Sequence, residues 1–239
     1  AEYNDITKLS EGSALEGAVF EIFDLNHEVL DTITTDERGI ATSKPLPLQI
    51  VGIREVQAPE HYLLNGKVFW AEIKKHGDVV KFVVENANEE IGVDVKKFGN
   101  IEAMPGDTIR YDFSDIRNES NVPLDNFYWR DILPTDAVTL RSISTGTWNE
   151  ELKYTIYYKT NLVSEERALA ERLSTSTNNT IDCSASAVKL KAGEVITEIR
   201  FDFGTVQPGF EPLTNPYITC LVHPDLPHEY RFKNCTDVG

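Results

Sequence analysis

The sequence predicts an all-β protein built from two tandem β-sandwiches. Apolar and polar residues alternate with a period of two through most of the chain, as expected of strands that bury one face. Turn-forming clusters of Gly, Pro, Asn and Asp separate these runs, and several short strands at such spacing are typical of sandwiches. The segment 87–92 interrupts the pattern before a new strand begins, so we expect domains at 1–89 and 90–239.

Each domain has its own series of candidate strands. In the first domain they lie at 19–25, 28–35, 48–56, 67–73 and 78–86, after a strand-like opening segment at 1–9. In the second domain they lie at 91–98, 107–113, 125–133, 137–143, 152–160, 194–206, 216–222 and 229–238. The exception is the segment 164–174, where Ser164 is a suitable N-cap and Leu169 and Leu173 are available for one helical face. We therefore expect one helix inserted in the second domain.

Composition limits the class of protein. The chain has 239 residues with 39 acidic against 23 basic side chains, a formal charge of −16, which argues against nucleic-acid partners and anionic membrane surfaces. No apolar run approaches the roughly 18 residues of a membrane span. The chain opens without a signal peptide and both ends are abrupt. We expect a fragment of a longer protein, with any signal and anchor outside it.

No motif predicts catalytic turnover. The histidines are not at metal-ligand spacing, and no GxSxG, P-loop or GxGxxG string occurs. The three cysteines, Cys183, Cys220 and Cys235, match no zinc or redox pattern, and their pairing stays open. We therefore expect no metal, no cofactor and no enzyme in the ordinary sense.

Three polar residues of the first domain are in phase with predicted core residues. Lys8 lies two residues after Ile6 and Glu55 two residues after Ile53, so each shares a strand face with an apolar residue. Asn86 shares a face in the same way with Val80, Phe82 and Val84. One interpretation is that each lies at a strand end and reaches solvent. The other is that an amine, a carboxylic acid and a carboxamide are buried together. Those are the groups needed for an intramolecular isopeptide bond.

The chemistry of such a bond follows from burial. Burial lowers the pKa of a lysine and raises the pKa of a carboxylic acid. The neutral amine then attacks the carboxamide carbon of an asparagine, while the protonated acid polarises the carbonyl and transfers protons, and ammonia leaves. The reaction occurs once per chain, so it is a maturation step.

The first domain resembles the SpaA-type, collagen-adhesin B-type domain of Gram-positive surface proteins. The matching strings are ITKLSEGSALEGAVFEIFD, TTDERGIA, IREVQAPEHYLL and KFVVENAN. The resemblance implies a transthyretin-like sandwich and an isopeptide bond between Lys8 and Asn86, with Glu55 as the catalytic acid.

The second domain resembles the immunoglobulin-like, collagen-adhesin A-type repeat of such surface proteins. The matching strings are VDVKKFGN, MPGDTIRYDF, PLDNFYWRDILP, TGTW and YRFKNCTDVG. Alternation places Lys97, Asp131 and Asn234 on inward faces, so our hypothesis is a Lys97–Asn234 bond with Asp131 as the acid. Lys96 is the competing amine. The alternative is that no bond forms and Lys97 is solvated or salt-bridged.

These resemblances imply a structural stalk or adhesin module of an extracellular, cell-wall-anchored surface or pilin-like protein, beside neighbouring domains of its parent. We expect no nucleic-acid partner and no membrane insertion of this fragment. The alternative function is a binding module for a host matrix protein or a carbohydrate. Its contacts would come from exposed aromatic residues among Trp70, Trp129 and Trp148, or from the segment 164–174.

Overall fold

The computed structural model describes residue 7 and residues 9–99, 102–227 and 229–239. The chain divides into two compact units, Ala1–Glu89 and Glu90–Gly239. Within the described ranges the regular structure is β, apart from the short helix α1 at Ala185–Val188, which confirms the predicted all-β class. No helix in those ranges has the length and apolarity needed to cross a membrane.

The first unit contains one four-stranded antiparallel sheet. Its strands are β1 (Val19–Phe23), β2 (Val29–Thr34), β3 (Ile50–Gln57) and β4 (Val68–Glu72), in the order β2-β1-β3-β4. Phe20, Ile22 and Val51 are buried on this sheet, as the period-two pattern predicted. The predicted opening strand at 1–9 lies, except for residues 7 and 9, outside the described residues.

The predicted strand at 78–86 is wrong. No described strand pairs with these residues, and the neighbouring Asn88 forms an isolated bridge with Tyr62. Val79 and Val83 are 79% and 84% exposed, whereas Phe82 and Val84 at alternate positions are half-buried, and Phe82 packs on Phe69 with ring centroids 5.5 Å apart. Strand propensity takes effect only where a partner strand supplies hydrogen bonds, and no described strand does so here.

The second unit contains two five-stranded antiparallel sheets and one two-stranded sheet. The first five-stranded sheet has the order β12-β8-β15-β6-β5, with β5 at Val93–Gly99, β6 at Thr108–Asn118, β8 at Val138–Ser144, β12 at Thr180–Asp182 and β15 at Tyr217–Val222. The other has the order β11-β10-β13-β7-β16, with β7 at Leu124–Ile132, β10 at Lys153–Thr160, β11 at Arg167–Ser174, β13 at Ile196–Val206 and β16 at Cys235–Val238. The short pair is β9 (Thr147–Trp148) with β14 (Pro212–Thr214).

An aromatic core joins the two five-stranded sheets into a sandwich. Trp129 of β7 packs on Phe113 of β6 and on Phe201 of β13, with ring centroids 4.4 Å apart in both pairs. All three rings are buried. The first and last strands of the unit, β5 and β16, lie at the edges of different sheets. A contact between these two strands therefore crosses the sandwich.

The helix expected at 164–174 is wrong, because Arg167–Ser174 of this segment forms the edge strand β11, paired with β10. Leu169 and Leu173 do pack against the core. Their spacing of four residues is shared by one face of a helix and one face of a strand, so the pattern could not separate the two structures. The open edge of β10 decides the outcome. The register shifts along this pair, with Arg172 in the left-handed region at φ 56°, accommodate the extra residues.

Candidate functional site

The second unit brings Lys97, Asp131 and Asn234 together. Lys97 Nζ donates to Asp131 Oδ1 at 2.5 Å, and Asn234 Nδ2 donates to Asp131 Oδ2 at 3.1 Å. Lys97 lies on β5. Asp131 lies on β7, which neighbours β16 in the other sheet, and Asn234 directly precedes β16. One carboxylate thus joins the amine and the amide across the sandwich.

The pleat of β5 decides which lysine enters this cluster. Lys97 pairs with Phe113 of β6, a buried residue, and its side chain is only 11% exposed. The adjacent Lys96 points to the opposite face and forms an ion pair with Asp115 at 2.8 Å, with its own side chain 57% exposed. Successive strand residues face opposite sides, so only one of two neighbouring lysines can reach Asp131.

Burial shapes the protonation of this pair. Asp131 has no exposed surface, and desolvation raises the pKa of its carboxyl even though Lys97 opposes the shift. Desolvation also lowers the pKa of the Lys97 amine against the pull of Asp131. The rings of Tyr111 and Phe113 lie 4.7 and 5.0 Å from Lys97 Nζ and exclude water from it. Both shifts favour the neutral forms of the two groups.

The state that isopeptide chemistry would require is one proton transfer away from the ion pair. A charged Lys97–Asp131 pair and a neutral amine with a protonated acid carry the same number of protons. They differ in the position of one proton along the 2.5 Å hydrogen bond. Asn234 Oδ1 is buried and accepts no hydrogen bond from any described residue. Rotation of the amide would present this oxygen to a protonated Asp131, which would satisfy it and polarise the carbonyl.

The first unit has a related cluster around Glu55. This residue lies on the buried face of β3 and is 5% exposed. Asn86 Nδ2 donates to both carboxylate oxygens, at 2.9 and 2.7 Å, and to the Leu63 carbonyl at 2.9 Å. The predicted amine, Lys8, lies outside the described residues. The structure therefore brings together the acid and the amide of the predicted trio.

Sequence reasoning did not assign a role to the residues that surround the two clusters. Period-two alternation turns Tyr111 and Phe113 inward, but it does not connect them with Lys97, because they lie on a different strand. Burial raises the pKa of Tyr111 to about 12, so this phenol stays neutral beside the amine. The backbone N–H of Asn65 donates to Glu55 Oε2 at 2.6 Å. The only signal for Asn65 was its place in the turn-forming Asn65-Gly66 pair.

The three tryptophans differ in what they can contact. Trp129 and Trp148 are 0% and 3% exposed and belong to the core, so neither can touch a ligand in this fold. Trp70 of β4 is 49% exposed and packs edge-on against Phe23. Of the three predicted aromatic contacts, Trp70 is therefore the exposed one. Most of the segment 164–174 is the edge strand β11, and its role as a contact stays a prediction.

The cysteines and the acidic residues form no recognisable cofactor site among the described residues. Cys183, Cys220 and Cys235 are free thiols, the first two buried and the third exposed. Within the same ranges, no group of three His, Cys, Asp or Glu side chains is arranged to hold a metal ion.

Residues 4–88 match the family model described as SpaA, a prealbumin-like fold domain. Prealbumin is another name for transthyretin, so the match confirms the predicted fold family for this part of the chain. Over these residues the first unit is therefore similar to SpaA prealbumin-like domains. The second unit lies outside the matched residues. No curated protein matches the chain.

Several solved structures show weak likeness to the whole chain. The major pilin subunit BcpA of Bacillus cereus is 16% identical with a TM-score of 0.31, and the match covers 95% of this chain and 60% of that one. The Bacillus anthracis TIE protein is 18% identical, with a TM-score of 0.31 and coverage of 83% and 30%. The RrgB pilus protein of Streptococcus pneumoniae is 14% identical, with a TM-score of 0.26 and coverage of 87% and 41%. The chain thus spans 60% of BcpA and less of the other two. TM-scores this low do not establish a shared arrangement.

Proposed function

We propose that this chain is a stalk module of a cell-wall-anchored Gram-positive surface or pilin-like protein, and that isopeptide bonds close its two units. The first bond would join Lys8 to Asn86 with Glu55 as the acid, and the second would join Lys97 to Asn234 with Asp131 as the acid. The observation that carries the proposal is the buried contact of Asp131 with both the amine and the amide. The match of residues 4–88 to the SpaA family model also supports the proposed stalk function.

The reaction balances without a cofactor. Lys97 Nζ attacks Cγ of Asn234 and forms the new C–N bond, while the bond from Cγ to Nδ2 breaks and ammonia leaves. Asp131 touches both partners, so it can take the proton from the amine and deliver one to the departing nitrogen. Buried in an aromatic pocket, this acid needs no metal ion and no external base for the exchange.

A bond at this place would suit a load-bearing module. Residues 98–233 lie between its two ends, and the ends lie on opposite sheets at the first and last strands. A force applied at the two ends of the unit would pass through the covalent bond and bypass most of the sandwich. Unfolding of the bypassed strands would then not lengthen the module.

Intact mass tests the proposal directly. Each Lys–Asn bond lowers the mass of the purified chain by about 17 Da, the mass of ammonia. After allowance for the substitutions themselves, Glu55→Ala and Asp131→Ala should each restore one ammonia. Asp125→Ala, an exposed carboxylate on the same strand as Asp131, should restore none. A wild-type chain of unshifted mass would refute both bonds.

A second function, binding of a host matrix protein or a glycan, is favoured by one observation. Trp70 exposes half of its surface and packs edge-on against Phe23, whose ring also contacts Arg54. Saturable binding to collagen, fibrinogen or a glycan array that is lost in Trp70→Ala would support it. Absence of binding on all three surfaces would leave the stalk function alone.

A further inference from the structure

We infer that Asn65 is the positioning residue of the first site, holding both the acid and the segment that carries the reacting amide. The inference rests on the proposed function, since it concerns the same Lys8–Asn86 reaction. Asn65 lies between the Tyr62 bridge and strand β4, and it is neither the amine, nor the acid, nor the reacting amide.

One residue reaches both halves of the site. The backbone N–H of Asn65 donates to Glu55 Oε2 at 2.6 Å, which fixes the carboxyl group. The side-chain Nδ2 donates to the carbonyl of Glu85 at 2.8 Å, directly before Asn86. The side-chain Oδ1 accepts from the backbone N–H of Lys67 at 3.0 Å, which holds Asn65 itself in place.

The Asn86 segment needs such support because no described strand pairs with it. Its neighbourhood is tied to the 63–65 segment by three contacts: Leu63 N–H to the Ala87 carbonyl at 2.8 Å, Asn86 Nδ2 to the Leu63 carbonyl at 2.9 Å, and the Asn65 side chain to Glu85. The Asn65 amide thus supplies a donor that a neighbouring backbone would supply in a regular ladder. Holding reacting groups in place is a major source of rate in intramolecular reactions.

The test follows both bonds in the same molecule. The full chain is refolded from denaturant-solubilised inclusion bodies, and peptide mapping by mass spectrometry measures joined Lys8–Asn86 and Lys97–Asn234 peptides over time. The variants are Asn65→Ala and Asn65→Asp, with Asn26→Ala, at an exposed turn of the same unit, as the control. The Lys97–Asn234 bond is an internal control for folding of the rest of the chain.

We expect Asn65→Ala to slow joining at Asn86 about three- to tenfold, the range set by one net hydrogen bond, without changing the Lys97–Asn234 rate. Asn26→Ala should join at the wild-type rate. Asn65→Asp keeps the acceptor for Lys67 but lacks a donor at neutral pH. Below about pH 4 its protonated carboxyl can donate to Glu85 again, so its rate relative to wild type should recover. Asn65→Ala should not recover.

The recovery separates positioning from a general loosening of the fold, which acidification would not repair in one variant alone. A wild-type rate in Asn65→Ala, or an Asn65→Asp variant that stays equally slow at both pH values, would overturn the inference and leave the proposed function intact. A wild-type chain that joins no Lys8 to Asn86 would overturn both.

Discussion

Lys97 Nζ lies 2.5 Å from Asp131 Oδ1, and the two residues come from different sheets of the second unit. The contact is buried, with the lysine side chain 11% exposed and the aspartate fully enclosed. A buried ion pair is costly to assemble, because both charges lose their hydration. Formation of an amide from this lysine would remove that cost permanently, because the product carries no charge at the nitrogen.

The adjacent lysines give a matched test of this relationship. Lys97→Arg should prevent the Lys97–Asn234 bond, because a guanidinium stays protonated and cannot act as the nucleophile. Lys96→Arg changes the same charge type on the solvent-facing side and should leave the bond intact. After allowance for the substitution, intact mass should rise by about 17 Da in the first variant only. Equal masses relative to calculation in both variants would contradict the assignment of Lys97.

The rate of bond formation in the second unit should have a bell-shaped pH dependence, with a maximum between the pKa values of the two groups. Below the pKa of Asp131 both groups are protonated and the amine is not nucleophilic; above the pKa of Lys97 the acid has lost its proton. Burial raises the pKa of Asp131 from 3.8 and lowers the pKa of Lys97 from 10.5. The acid limb should therefore lie above pH 3.8 and the alkaline limb below pH 10.5.

Refolding at a series of pH values, with joined peptides counted at early times, measures this profile. The first unit, for which Glu55 is the proposed acid, gives a second profile from the same samples. A rate for the Lys97–Asn234 bond that rises steadily through pH 10.5 would mean that Asp131 is not needed as an acid.

The bond should account for a large part of the stability of the second unit. Asn234→Ala removes the acceptor and leaves the sheets otherwise intact. The closed loop spans 234 − 97 = 137 residues, for which the chain-entropy model gives about 5 kcal/mol of stabilisation. Chemical denaturation should show this loss in the unfolding transition of the second unit. Lys233→Ala, at the exposed neighbouring position, should show a change of about 0.5 kcal/mol or less.

Glu194 should link stability to acid pH. Its carboxylate accepts from the Lys191 backbone N–H at 2.9 Å, from Thr160 Oγ1 at 2.8 Å and from Arg167, and these contacts lower its pKa from 4.5 to about 2. A lowered folded-state pKa gives stability that is complete above pH 4.5 and is lost as pH falls towards 2.

Thermal unfolding of wild type and Glu194→Gln checks this linkage. The gap between their melting temperatures should be full at pH 7 and should close as pH approaches 2. Glu171→Gln, on the exposed edge strand β11, should follow wild type throughout. A gap that is constant over the whole range would show that the charge of Glu194 is not what stabilises the fold.

The sequence predicted the β class and the alternation that turns Lys97, Asp131 and Asn234 inward, because a period of two is a local property that survives in the folded sheet. It could not decide between helix and strand at 164–174, since Leu169 and Leu173 suit either. It also predicted a strand at the valine-rich segment 78–86, where none is present. Both errors depend on whether a neighbouring strand is present. The edge of β10 pairs with residues 167–174 and makes them a strand, whereas no described strand pairs with residues 78–86.

Pattern alone therefore determined which side chains face inward, while only the tertiary structure decided which of them meet. Lys97, Asp131 and Asn234 are far apart along the chain, and no local rule sets the distance between residues on different sheets. Packing of Phe113 on Trp129 brings those sheets together and leaves the amine and the amide against one carboxylate. The same holds for Asn65, whose contacts to Glu55 and Glu85 arise from the path of the chain around the first sheet.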